Sequence, residues 1–185
     1  MGKLIYTTIS SLDGYVADAE GNFAWAAPGK EVHEFVNDLE RTIGTYLCGR
    51  RTYEVLQFWE SLPTPAEQPE AMRDYAAIWQ AADKIVVSKT MESVSAPRTQ
   101  LHRTFQADVI RDLKLASDRD IGIGGPTLAA QGLQAGLVDE CHFFLVPVVV
   151  GGGTPSLPSD LRTDLELLDH RRFENGTVHL HYRVS

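Results

Sequence analysis

Apolar positions fall in two rhythms along this chain. Short runs rich in β-branched and aromatic residues predict strands at 4–9, 45–48, 84–88, 120–123 and 140–150, with a further short strand at 101–105. Between them, apolar residues recur at three- and four-residue spacing. The first such stretch starts at Glu31 and runs through Val32, Phe35, Val36, Leu39 and Ile43, with Gly44 as its expected stop. Further helices are expected after Gly49-Arg50-Arg51-Thr52-Tyr53-Glu54, at 70–82, at 106–115, and at 128–135 ahead of Gly136. Residues 10–23, with Gly14 and Gly21, read as a long loop, and the proline-rich stretch 61–69 reads as a surface loop. Two late strands, around 165–173 and 177–184, flank Glu174-Asn175-Gly176, and Asn-Gly between two β-runs signals a hairpin.

Strand and helix alternate to about residue 140, after which only strands follow. Alternation implies parallel strands with crossover helices on both faces, and the closing hairpin adds antiparallel strands at one edge. The expected fold is therefore a three-layer αβα sandwich with a mixed, mostly parallel sheet. With no repeat and no long linker, residues 1–185 read as one domain.

Composition narrows the function. Hydrophobic residues make up 43% and charged residues 23% of the 185, which suits a soluble globular chain. Seventeen Lys and Arg against 25 Asp and Glu give a net charge of -8, the wrong sign for a dedicated nucleic-acid binder. No apolar run approaches the roughly 20 residues that span a bilayer. The start, Met1-Gly2-Lys3-Leu4, lacks a secretory pattern. Cys48 and Cys141 form no CxxC pair, so a reducing, cytoplasmic setting is expected.

Three strand ends carry candidate chemistry. In Ile121-Gly122-Ile123-Gly124-Gly125-Pro126-Thr127, glycines at a strand-to-helix junction permit close backbone approach, and the helix start suits a pyrophosphate. The same residues also suit a plain tight turn with Pro at the first helical position. Neither GxGxxG nor a P-loop is present. At Gly49-Arg50-Arg51-Thr52, cations at a helix start oppose the dipole unless an anion neutralises them. Val86-Val87-Ser88-Lys89-Thr90 adds two hydroxyls and a cation. Ligands of open parallel sheets gather at the carboxyl ends of strands. Together the three segments predict one site for a pyrophosphate and a further phosphate, which favours NADPH over NADH.

Asp13-Gly14 is either a turn or part of a site, Trp25 is either core or a cover, and Gly151-Gly152-Gly153-Thr154 either approaches a ligand or turns the chain. Ser10 and Ser11 lack a hydrolase context. Among six scattered histidines, His179 and His181 share a strand face, but no acidic or sulfur partner is evident, so no metal site is expected.

The chain resembles the dihydrofolate reductase-like superfamily. More closely, it is similar to the reductase domain at the C-terminus of the bifunctional riboflavin-biosynthesis deaminase/reductase, in stand-alone form. The motifs are Ser11-Leu12-Asp13-Gly14-Tyr15-Val16-Ala17, Gly49-Arg50-Arg51-Thr52-Tyr53-Glu54, Val86-Val87-Ser88-Lys89-Thr90, Ile123-Gly124-Gly125-Pro126-Thr127-Leu128 and Val146-Pro147-Val148-Val149-Val150-Gly151-Gly152-Gly153-Thr154-Pro155, in that order.

The resemblance implies an NADPH-dependent hydride transfer. Gly49, Arg50, Arg51 and Thr52 would meet cofactor phosphates, Ser88 and Lys89 the adenosine 2′-phosphate, and Ile123, Gly124, Gly125, Pro126, Thr127 and Leu128 the pyrophosphate. Val16 and Ala17 would lie near the nicotinamide. Asp13, Glu31 and His33 are the candidate polar groups at a small-molecule substrate, with Lys30 a candidate for a substrate phosphate. A homodimer through the late strands is expected. The chain departs from true dihydrofolate reductases, since no carboxylate cleanly takes the pterin-recognising helix position and Val146 stands where a partner threonine is expected. Pro155-Ser156-Leu157 also replaces an expected Pro-Leu-Phe. The fused zinc deaminase signature, H-x-E with P-C-x-x-C, is absent. The implied activity is aminouracil-reductase-like hydride transfer; pterin reduction and non-catalytic NADPH sensing are the alternatives.

Overall fold

Leu4 and Tyr6 enter one apolar cluster and Ile5 enters another, the alternation of a strand buried on both faces. That strand, β1 (Leu4–Ser11), is central to an eight-stranded sheet in a computed structural model that describes residues 1–62 and 65–185. The remaining strands are β2 (Tyr15–Ala17), β3 (Ile43–Gly49), β4 (Asp83–Val87), β5 (Thr99–His102), β6 (Asp120–Gly124), β7 (Glu140–Val146), β8 (Thr154–Pro155), β9 (Leu165–Arg172) and β10 (Val178–Val184). The helices are α1 (Lys30–Glu40), α2 (Arg50–Leu56), α3 (Glu70–Ala81), α4 (Ala107–Ala116) and α5 (Pro126–Gln134). The sheet order is β5-β4-β3-β6-β1-β7-β10-β9, and β2 pairs β8 apart from it. The first six strands of that order are mutually parallel, and β10 and β9 are antiparallel additions.

Helices cover both faces, as expected. On one face Ile110 of α4 and Leu128, Ala129 and Leu133 of α5 pack over Leu4, Tyr6, Leu47, Ile121 and Ile123. On the other, Val32 of α1 packs on Phe144 and Phe173, while Tyr53 of α2 and Trp79 of α3 pack on Ile5, Tyr46, Cys48 and Val86. Each large side chain so buried contributes roughly 1.5–3 kcal/mol. Both cysteines are buried and free, and burial pushes each thiol up to about 12. Among the described residues, no helix is long and apolar enough to cross a membrane.

Several boundaries differ from the sequence expectation. The first helix ends at Glu40, not at Gly44, because Ile43 belongs to β3 and is buried in the core. Gly44 instead makes room for Arg119: a Cβ there would sit 2.8 Å from the Arg119 Cβ. The Arg119 guanidinium donates to the Arg41 carbonyl at 2.7 Å, supplying a free carbonyl at the helix end with a donor. β1 extends to Ser11, and the loop beyond it contains β2. The fifth strand lies at Thr99–His102, in register with Lys84–Val87. β7 stops at Val146 because Pro147 has no N–H for a ladder. α5 starts at Pro126, two residues before the expected start. In the 61–69 stretch, residues 63 and 64 lie outside the described residues, and Pro65–Glu67 forms a 3-10 turn.

Candidate functional site

Because β1, β3, β4, β6 and β7 are parallel, their carboxyl ends share one edge of the sheet. Register places the three phosphate-type segments side by side there: Cys48 pairs with Gly124, and Gly49 with Val87. Gly49 and Gly125 are the N-cap residues of α2 and α5, and neither helix has a side-chain cap. A Cβ on Gly49 would meet nothing within 4 Å. Gly125 has φ +89°, and a Cβ on it would lie 2.5 Å from the Thr52 Oγ1. A Cβ on Gly124 would lie 3.2 Å from the Thr52 methyl group. Thr52 therefore locks the start of α2 against the β6–α5 turn, and only glycine fits there.

The cations divide by their partners. Arg50 is occupied: its Nε donates to Glu54 at 2.7 Å and its Nη1 to Thr90 at 3.2 Å. Arg51 and Lys89 are exposed, and among the described residues neither pairs with a carboxylate. Ser88 is buried, and its Oγ accepts the amides of Thr90 and Met91, shaping the turn that presents Lys89. Ile123 and Leu128 turn their side chains into the core, which leaves only their backbone toward the edge, whereas Thr127 is exposed.

The loops after β1 and β7 are bound to each other. Asp13 accepts the Val150 amide at 3.1 Å on one oxygen and the Gly151 amide at 2.7 Å on the other. A hydrogen bond from Ser11, with those two amides, holds its carboxyl below the ordinary range. Leu12 donates to the Val148 carbonyl at 2.8 Å. Gly153, at φ +132°, lets the chain pass so close that a Cβ would meet the Ala17 carbonyl oxygen at 2.1 Å. Val16 and Ala17 are thus held in β2 against β8. Asp13 is a loop clamp with both oxygens engaged.

A cleft of about 370 Å³ is lined by Gly29, Lys30, Glu31, Glu34, Glu174 and Asn175 among others. The β9–β10 hairpin forms one wall and reaches the β7 loop: a Cβ on Gly176 would lie 3.2 Å from Pro147. The start of α1 forms the other wall. Glu31 ties the two together, accepting from the Glu174 amide at 3.1 Å and from Arg171 at 3.0 Å. Those two donors, the amide first, hold its carboxyl low. Lys30 faces Glu34 at 3.7 Å. His33 lies apart from this lining, half-buried against Trp59 and Tyr75 with ring centroids 6.0 Å from each, and burial lowers its pKa. Trp25 is half-buried, its indole N–H on the Asn22 carbonyl.

The hairpin wall of the cleft was not singled out from the sequence, although Asn-Gly marked the turn itself. Its approach to α1 is a tertiary fact carried by the Glu31–Arg171 pair.

A mostly parallel sheet covered on both faces and closed by an antiparallel hairpin is the α/β architecture of the dihydrofolate reductase-like fold. Residues 2–179 match the RibD C-terminal domain family, and the chain belongs to that family. It is 25% identical over 184 residues to the uncharacterized protein YyaP of Bacillus subtilis (strain 168), covering 97% of this chain and 94% of that one. Among solved structures, it is similar to a putative riboflavin biosynthesis protein from Shewanella sp. PV-4, with a TM-score of 0.76, 21% identity and 99% coverage of both chains. It is also similar to a deaminase/5-amino-6-(5-phosphoribosylamino)uracil reductase from Thermotoga maritima, with a TM-score of 0.68, 17% identity and coverage of all of this chain and 57% of that one.

Proposed function

We propose that this chain is an NADPH-dependent reductase that transfers hydride to a small polar substrate of the aminouracil type. The observation that carries this reading is the pair of unmatched cations, Arg51 and Lys89, beside the glycine turn that Thr52 locks in place. The free amides at the start of α5 and the backbone of Gly124 and Gly125 suit a pyrophosphate. Arg51, Lys89 and Ser88 suit an adenosine 2′-phosphate, and Arg50, already bonded to Glu54 and Thr90, holds the frame. Val16 and Ala17, fixed through the Asp13 clamp, form the flank for the nicotinamide. When bound, NADPH supplies the hydride; the protein supplies binding, orientation and exclusion of water.

The cleft between α1 and the hairpin is the substrate side of this reading. Glu31 is committed to Arg171 and the Glu174 amide, so it holds the wall of the cleft in place and does not deliver a proton to a pterin ring. That favours the aminouracil reaction over pterin reduction. A cytoplasmic homodimer, assembled through the late strands, completes the proposal. Steady-state NADPH oxidation with aminouracil, pterin and quinone substrates tests it. Turnover confined to the aminouracil is expected; turnover with a pterin alone, or none from protein that binds NADPH, overturns it.

A further inference from the structure

On the face of the sheet that α1 covers, β7 and β10 bring together a group of ionisable side chains that takes no part in the site above. Register pairs His142 directly with His181, while Glu140 stands two residues before His142 on the same strand face. One donor atom from each of Glu140, His142 and His181 lies within 4.8 Å of the others. Glu140 and His142 are buried, and the His181 side chain is 21% exposed. The sequence offered His179 and His181 no acidic partner; the strand register supplies one in Glu140.

We propose that Glu140, His142 and His181 form a binding site for a divalent transition-metal ion of the zinc class, with His179 as the positioning residue for His142. Two imidazoles and a carboxylate are the donor set this class of ion takes. The His142 Nδ1 lies 2.9 Å from the His179 Nε2, which leaves the His142 Nε2 for a metal. That is the outer hydrogen bond that fixes the tautomer of a ligating histidine. With the His142 Nε2 free for a metal, His142 donates from Nδ1 to the His179 Nε2, and His179 carries its own proton on the buried Nδ1. The His181 Nε2 already faces the Glu140 Oε2 at 3.0 Å. The His142 and His181 rings are stacked at 4.1 Å. The donors lie within 4.8 Å of one another, against the roughly 3.4 Å edge of a tetrahedron with 2.0–2.1 Å bonds, so a bound ion has to draw them inward by up to about 1.4 Å.

Lys3 guards this site. Its Nζ holds the Glu140 Oε1 at 2.7 Å, yet its side chain is 54% exposed, so it can swing to solvent as the ion enters. An ammonium and a divalent cation compete for one carboxylate, so removing Lys3 strengthens metal binding. Nothing here depends on the nucleotide, and the site can fail while the reductase reading stands.

The test is titration of the intact protein with Zn²⁺ and Co²⁺ after treatment with chelator. One equivalent is expected to bind, with cobalt absorption typical of nitrogen and oxygen ligands. At about a hundredfold excess over Kd, Tm rises by about 5–10 °C. His181→Gln is expected to abolish the saturable binding, His179→Phe to weaken it about 10–100-fold, and Lys3→Gln to tighten it. His181→Gln removes a partly exposed ring and Lys3→Gln an exposed chain, so both variants keep the fold and the test stands even if Glu140→Gln unfolds. Absence of saturable binding, binding unchanged in His181→Gln, or weaker binding in Lys3→Gln overturns the proposal.

Discussion

Gly125→Ala tests whether α2 and the β6–α5 turn form one cradle. Gly125 has φ +89° and ψ 130°, a conformation nearly closed to L residues, and holding alanine there costs about 1–3 kcal/mol. The new methyl group would also lie 2.5 Å from the Thr52 Oγ1, forcing Thr52 off its rotamer for about 0.5–1.5 kcal/mol more. The sum is about 1.5–4.5 kcal/mol, a fall in Tm of about 3–18 °C for a chain of this size. In a Thr52→Ala background the second part disappears, so the double-mutant cycle returns a coupling of about 0.5–1.5 kcal/mol. Urea unfolding of the four proteins measures this, and NADPH titration of the same four measures the cradle directly. Gly125→Ala is expected to weaken NADPH about tenfold or more. Zero coupling with undiminished NADPH affinity would refute the geometric argument.

Three other perturbations probe the frame around the site. Lys84 is fully buried, with its Nζ 2.6 Å from Glu60 and over the Trp79 ring, so Glu60→Gln strands a charge and destabilises by about 3–5 kcal/mol in denaturant unfolding. Replacing both partners by Met and Leu is expected to be close to neutral; an equal loss in the double variant would show that packing, not charge, is at stake. Burial raises Glu40 to about 7, so the native state holds an extra proton between pH 4.5 and 7 and loses stability as pH rises through that window. Glu40→Gln removes this loss and gains up to about 3 kcal/mol on the wild type between pH 4.5 and 8, and parallel stability curves for the two proteins would contradict it. Asp13→Asn leaves one acceptor where two amides donate, so hydrogen exchange at Val150 and Gly151 is expected to quicken, and unchanged protection would remove Asp13 as the clamp.

The strands were legible where burial and turn chemistry agreed. β1 and β6 are short apolar runs ending in polar or glycine residues, and α5 begins at the proline that suits a first helical position. The end of α1 was not legible, because Ile43 continues the helical spacing yet lies at the start of β3, and only the Arg119 side chain explains Gly44. At the site, glycine and cation positions were visible in order. Which cations are free was not, because Arg50 finds Thr90 forty positions away. Asp13 and Glu31 read as open polar groups for the same reason: their partners, Gly151 and Arg171, lie in the distant β7 loop and in β9. The Glu140–His181 pairing required the register of β10 on β7, which no local pattern encodes.

The most direct measurement is a calorimetric titration with NADPH and, separately, NADH, for the wild type, Arg51→Ala and Lys89→Ala. The account predicts NADPH binding at least about tenfold tighter than NADH, a preference that collapses in both variants while NADH affinity changes little. Equal affinity for the two nucleotides, or no binding of either to folded protein, would contradict it.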